Sequence, residues 1–255
     1  THTPPNPILS GLVGSEMCIR DRLKQLNEKH LKGRPGGEEL AARIQSYELA
    51  YRMQAETPEA VDLKDETQAT LEMYGVGKTP TDEFGRNCLI ARRLVERGVR
   101  FIQLYSGGGH LADTWDAHVS IENNHGQHAA EIDQPIDALI TDLDQRGLLE
   151  STLIVWGGEF GRMPFSEGKN APGRNHNPYG FSMWMAGAGV KGGTRYGATD
   201  DFGFEAVEGR AHVHDIHATI LHLMGLDHER LTYFHQGREE SLTDVHGRVI
   251  HDVIA

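Results

Sequence analysis

The segment Ser151-Thr152-Leu153-Ile154-Val155-Trp156 is the strongest constraint on what this chain can fold into. It is a near-continuous apolar run, and such runs suit a strand buried on both faces at the centre of a sheet. It follows a long amphipathic stretch over residues 126–146, with Ile132, Ile136, Leu139, Ile140 and Leu143 on one face and Gly147 as its stop. Pro135 inside that stretch marks a kink or a later start. The same order recurs upstream. Thr81 or Asp82 opens a helix through Arg97, and Val99–Tyr105 then reads as a strand. Phe181–Ala186 is a third strand, and His214–Met224 a last helix ended by Gly225. Further helices are expected over 23–33, 38–55 and 65–74, with the second ended near Thr57-Pro58. Alternating helices and strands predict an α/β fold with a largely parallel sheet flanked by helices.

In such sheets, ligand sites lie in loops beyond the carboxyl ends of strands. Three polar loops carry residues suited to chemistry. Asp116 and His118 stand two apart in Trp115-Asp116-Ala117-His118, so in extended backbone they point to one side and can grip a divalent cation together. Asp-x-His pairs are frequent by chance, so this pair carries weight only in company. Glu159 follows the apolar run directly, between Gly158 and Phe160, where a metal-binding carboxylate is expected; a plain ion pair with Arg162 is the competing reading. His176 lies in Arg174-Asn175-His176-Asn177-Pro178, with Pro178 holding Asn177 extended. Arg162 and Arg174 offer planar forks for an oxyanion. Mixed Asp, His and Glu ligands beside two arginines suit phosphoryl or sulfuryl transfer, where positioning and charge neutralisation do most of the work.

The stretches GGEFGRMP, GRNHNPYGFSMWMAGAGVKGG and HDIHATILHLMGLDHERLTYFHQGREESLTDVHG resemble the sulfatase-like family called domain of unknown function 1501, within the alkaline-phosphatase superfamily. The resemblance covers residues 23–255. It implies a metal-dependent hydrolase of phosphate or sulfate esters, acting on small molecules or glycans. It implies one or two divalent cations, zinc being the expected one, held by Asp116, His118, Glu159 and His176; Arg162 and Arg174 are expected on the substrate from their planar forks alone. Two departures stand out. Phe160 occupies the place of a histidine that relatives carry after the acidic ligand, and Asn175 and Asn177 replace Asp and His of the commoner Arg-Asp-His-His-Pro. The missing histidine supports an alternative, a non-catalytic binding protein on the same fold; an isomerase or mutase of the same superfamily is a third reading. The resemblance also implies export, hence an extracytoplasmic location. It places a metal-binding Asp and a hydroxyl or thiol nucleophile on a first strand and the following helix. No such strand is recognisable before residue 99, so the chain is expected to lack that segment and to be inactive by itself. Residues 11–22 resemble a translated sequencing adapter, so residues 1–22 are expected to be a non-native leader.

A formal net charge of -12 repels phosphate backbones and argues against nucleic-acid binding. No apolar run is long enough to span a bilayer. Cys18 and Cys88 are too few for a thiolate metal site, and Cys88 is expected to be a buried structural thiol. His214, His217 and His222 on the last helix, with Asp215 and Thr219, are expected to be structural. Composition fixes neither substrate nor oligomeric state.

Overall fold

The computed structural model describes residues 22–23, 25–30, 38–107, 114–166 and 172–255. The expected leader therefore lies almost wholly outside the described residues. The chain divides into two compact units, residues 1–62 and 63–255. In the first, residues 25–30 are helical and α1 spans Glu38–Val61. The helix continues through Pro58, so the expected break at Thr57-Pro58 does not occur.

The second unit is built around two helices. α2 (Gln68–Met73) is short and starts at Thr67, whose side chain accepts from Thr70 N–H. α3 (Asp82–Glu96) buries Cys88, Leu89, Ala91 and Arg92 against α4 (Ile121–Gln145), which buries Ile132, Ala138 and Leu143. Thr81 precedes α3 without capping it; its hydroxyl donates to the carbonyls of Gly75 and Lys78 instead. α4 begins five residues before the expected start and runs through Pro135, which is buried within it. The core centres on Tyr74, Cys88, Leu89 and Ala138.

The expected parallel sheet is not what forms. Every strand pair is two-stranded and antiparallel, so the fold is mixed α and β. β1 (Leu153–Trp156) pairs with β4 (Trp184–Gly187), Leu153 facing Gly187 and Trp156 facing Trp184. Between them lies the ribbon of β2 (Gly161–Arg162) and β3 (His176–Asn177). The reason is in the connection. Parallel neighbours need a crossover of a dozen residues or more, usually a helix, and described residues 157–183 contain no helix, so the chain returns antiparallel. Val99–Tyr105, the other expected strand, has no ladder partner among the described residues; Phe101 and Tyr105 are exposed, while Ile102 and Leu104 turn inward. β1 is accordingly half-buried rather than central. Its residues line an apolar cavity of about 190 Å³ shared with Cys88, Ile102, Leu104 and Leu139.

The remaining elements close the unit. β5 (Ala198–Thr199) and β6 (Ala206–Glu208) form a small ribbon, and β7 (Thr232–His235) and β8 (Arg238–Ser241) a hairpin. α5 (Val213–Leu223) carries a capping box: the His212 side chain accepts from the backbone, and Asp215 accepts from His212 N–H. Asp215 also accepts from Arg248 N–H, and Thr219 accepts from Ile250 N–H while donating to the Asp215 carbonyl. These are the structural roles expected of that helix. No helix among the described residues is long and apolar enough to cross a membrane.

Cys88 is fully buried, and burial pushes its thiol up to about 12. In a Cys18→Ser background, the folded protein is expected to resist alkylation at neutral pH and to react only in denaturant. Mass spectrometry after iodoacetamide treatment checks this; rapid labelling under native conditions contradicts the burial.

Candidate metal centre

Three of the four expected ligands come together. Among the described residues, Asp116, His118 and His176 each offer a ligand atom, and these atoms lie within 4.8 Å of one another. Asp116 Oδ1 is 2.9 Å from His118 Nε2 and 2.9 Å from His176 Nε2, and the two nitrogens are 3.2 Å apart. Glu159 is exposed and stands outside this group.

Local backbone explains the convergence. Arg174 N–H donates to the Ala117 carbonyl at 2.9 Å, laying residues 173–176 along 116–118. Gly173 makes this approach possible: a Cβ there would meet the His118 carbonyl carbon at 2.0 Å. β2 then pairs Arg162 with His176 and brings the loop after β1 to the same place. The ring of Phe160 stacks on His176, centroids 3.9 Å apart and planes 20° apart. Phe160 thus covers one face of His176.

Arg162 sits behind Asp116. Its Nη1 donates to Asp116 Oδ1 at 3.2 Å and to the Arg174 carbonyl, and its Nη2 donates to the Trp115 carbonyl at 2.5 Å. Arg174 Nη1 donates to the carbonyls of Pro172 and Gly173 in its own loop. Both arginines expected on the substrate therefore direct these donors to the protein. The hydrogen bond from His176 holds the Asp116 carboxyl below its ordinary value; burial opposes this, and Arg162 and His118 reinforce it.

Several supporting residues escaped the sequence reading. Asn124 Nδ2 and His128 Nε2 both donate to the Thr114 carbonyl, and His125 Nε2 donates to that of Trp115. The first turns of α4 thereby fix the backbone just ahead of Asp116. The spacing of Asn124, His125 and His128 on neighbouring turns was the available signal. Asn177, fully buried beside His176, donates to the Phe204 carbonyl at 2.9 Å and accepts from Tyr179 N–H at 3.1 Å.

The donor set fits a small divalent cation. Atoms at the corners of a 2.9, 2.9 and 3.2 Å triangle lie on a circle of radius about 1.7 Å. That is within reach of an ion at the usual Zn–N and Zn–O distances of roughly 2.0–2.1 Å, so Asp116, His118 and His176 could hold one together. Asp116 Oδ1 offers only lone pairs, and each neutral imidazole can offer one as well. A cation satisfies all three atoms at once. Their side chains are 36%, 37% and 39% exposed, so the cluster is open to solvent, as a reactive centre is and a closed structural site is not.

Fold and site together define a mixed α and β protein with a cluster of two histidines and an aspartate, Asp116 and His118 on a loop and His176 on β3. Residues 16–254 match the family described as protein of unknown function DUF1501, and the chain belongs to that family. No curated protein and no solved structure matches it.

Proposed function

We propose that this protein is a metal-dependent hydrolase of phosphate or sulfate esters, with Asp116, His118 and His176 as ligands of a divalent cation. The single observation that carries the reading is the convergence of these three side chains, two from the loop before α4 and one from β3, with their ligand atoms within 4.8 Å of one another. The motifs WDAH and GRNHNP, which supply all three, are also those that resemble the sulfatase-like and alkaline-phosphatase superfamily. A zinc-like cation there would polarise an ester oxygen and neutralise charge on the phosphoryl or sulfuryl group. Arg162 is a positioning residue: it holds Asp116 in place and does not reach for the substrate. Phe160 fixes the ring of His176. The extracytoplasmic location implied by the resemblance belongs to the same proposal.

The engagement of Arg162 and Arg174 favours a second reading, a metal-holding protein that binds without turnover. The two separate experimentally. Zinc is titrated into the chelator-treated protein by calorimetry, and the loaded protein is then offered nitrophenyl phosphate and nitrophenyl sulfate. One equivalent of zinc is the expected result for this chain, and turnover of either ester by the zinc-loaded product of the full-length gene is the result expected of the hydrolase. Zinc uptake without turnover transfers support to the binding reading, and absence of zinc uptake overturns both.

A further inference from the structure

Four imidazoles gather at the N-terminal end of α5, and the proposed chemistry uses none of them. His212 is the N-cap of the helix, and its Nδ1 accepts the His214 N–H at 3.2 Å. Only a neutral imidazole has a lone pair to give, so a proton on His212 sets donor against donor and removes the cap. The His212 ring meets that of His214 edge-on, centroids 4.6 Å apart, and the His246 ring stands 6.0 Å from that of His214, planes 21° apart. His214 Nδ1 is buried and has no hydrogen-bond partner among the described residues. An imidazolium there would bury a charged N–H with no acceptor. His217, one turn further along, is held below the ordinary imidazole value by burial first and by His214 second. A cation at this end of a helix also opposes the macrodipole. Among the charged groups facing this turn, Asp215 would favour a proton on His212, yet its Oδ2 already accepts from His212 N–H and its Oδ1 from Arg248 N–H. Arg210, from the segment after β6, pairs with Glu205 at 3.7 Å. Arg248 adds positive charge to the segment that carries His246.

We propose that His212, His214, His217 and His246 form an acid-sensitive latch between α5 and the C-terminal segment 243–255, closed while the rings are neutral and opened as they take up protons. The bonds that the latch controls run from the first two turns of α5. Asp215 Oδ1 holds Arg248 N–H at 2.8 Å, and Thr219 Oγ1 holds Ile250 N–H at 2.9 Å. The segment then reaches the loop after β4, where Lys191 N–H donates to the Val253 carbonyl and Ala255 N–H to that of Gly189. Fraying of the first turn moves Asp215 and frees the strap it holds. Asn, Asp or Ser at the N-cap would hold this turn at neutral and mildly acidic pH alike, whereas histidine makes the hold conditional. The sign follows from the chemistry. An imidazole kept neutral by folding, as His217 is, loses its stabilising contribution as pH falls below its unfolded value of about 6.5. The latch is independent of the metal centre, whose three ligands lie on other elements.

Hydrogen exchange read by mass spectrometry tests this on the whole chain. Protection is compared at about pH 7.5 and about pH 5.5, either side of the ordinary imidazole value, after normalising for the chemical effect of pH on exchange. Peptides covering His214–Ala218 and Arg248–Ile250 should lose about tenfold in protection at the lower pH. Peptides from Cys88–Ala91 in α3 and Leu139–Leu143 in α4 should keep theirs. His212→Asn and His212→Ser cap the helix without titrating, and each should limit the loss to about threefold or less. His212→Ala should already be poorly protected at the higher pH. Equal protection at both pH values in the wild type, or an undiminished tenfold loss in both His212→Asn and His212→Ser, overturns the latch. A parallel loss in the α3 and α4 peptides marks general acid unfolding and overturns it as well.

Discussion

Asp116→Ala is expected to abolish zinc uptake in calorimetric titration and, with it, any ester turnover. Asp116 Oδ1 is the one atom that touches both imidazoles and the Arg162 guanidinium. Its removal takes away the anionic member of the three-residue cluster found among the described residues and leaves two imidazole nitrogens 3.2 Å apart. The loss should exceed the roughly 10–100-fold that follows from losing an outer partner of a metal ligand. Arg162→Ala provides that comparison, because Arg162 reaches Asp116 but is not itself a ligand. Its zinc affinity should fall within the 10–100-fold range. Glu159→Ala, outside the three-residue group, should leave the affinity within about threefold of the parent. The ordering of the three variants is the informative result. If Glu159→Ala weakens zinc as much as Asp116→Ala does, the three-ligand geometry is wrong.

The sequence carried the helices and the site unequally. α3 and α5 were legible almost to the residue, because a strong apolar period and a glycine after each helix specify both face and end. Pro58 and Pro135 misled in the same way: each was read as a boundary or kink, and each lies inside a continuous helix. Strand positions were partly legible and strand direction was not. An apolar run such as Leu153–Trp156 records burial, whereas direction is set by what lies between the strands. Here that is a helix-free loop carrying the β2–β3 ribbon. Among site residues, Asp116, His118 and His176 were legible because each sits in a motif with its own backbone logic. What the sequence did not reveal was the demand already placed on the arginines. Arg162 and Arg174 look free in one dimension, but in the folded chain they donate to carbonyls and to Asp116. Free and engaged guanidinium groups have the same letter code.

The same lesson applies, with a larger effect on stability, to Arg92. It lies on α3 and reads as an ordinary surface arginine between alanine and a second arginine, yet its side chain is 3% exposed. Its Nη2 is 2.7 Å from Glu66, its Nη1 2.6 Å from Glu96, and its Nε 2.9 Å from Asp142 Oδ2. The Nε contact is close in distance but off the hydrogen-bond line, so it counts as charge proximity rather than as a bond. Arg93 completes Glu66, Arg146 completes Glu96 and Asp142, and the Tyr74 hydroxyl donates to Asp142. Three arginines and three carboxylates thus join α3, α4 and the turn before α2. Arg92→Ala strands buried carboxylates and is expected to cost about 3–5 kcal/mol in urea unfolding at neutral pH. Arg92→Lys keeps the charge but loses the fork, and should fall in between. The pH dependence follows from Glu66. Burial works to raise its carboxyl, but the hydrogen bonds from Arg93 and Arg92 outweigh it and hold the group below its ordinary value. A carboxylate depressed by folding contributes stability that is present above its unfolded value and is lost as pH falls through the folded one. Wild type should therefore lose stability on acidification below about pH 4, and the gap between wild type and Arg92→Ala should narrow there as the stranded carboxylates protonate. A gap that stays constant down to that pH, or a neutral-pH cost of less than about 1 kcal/mol, places the network among surface ion pairs, which contribute little.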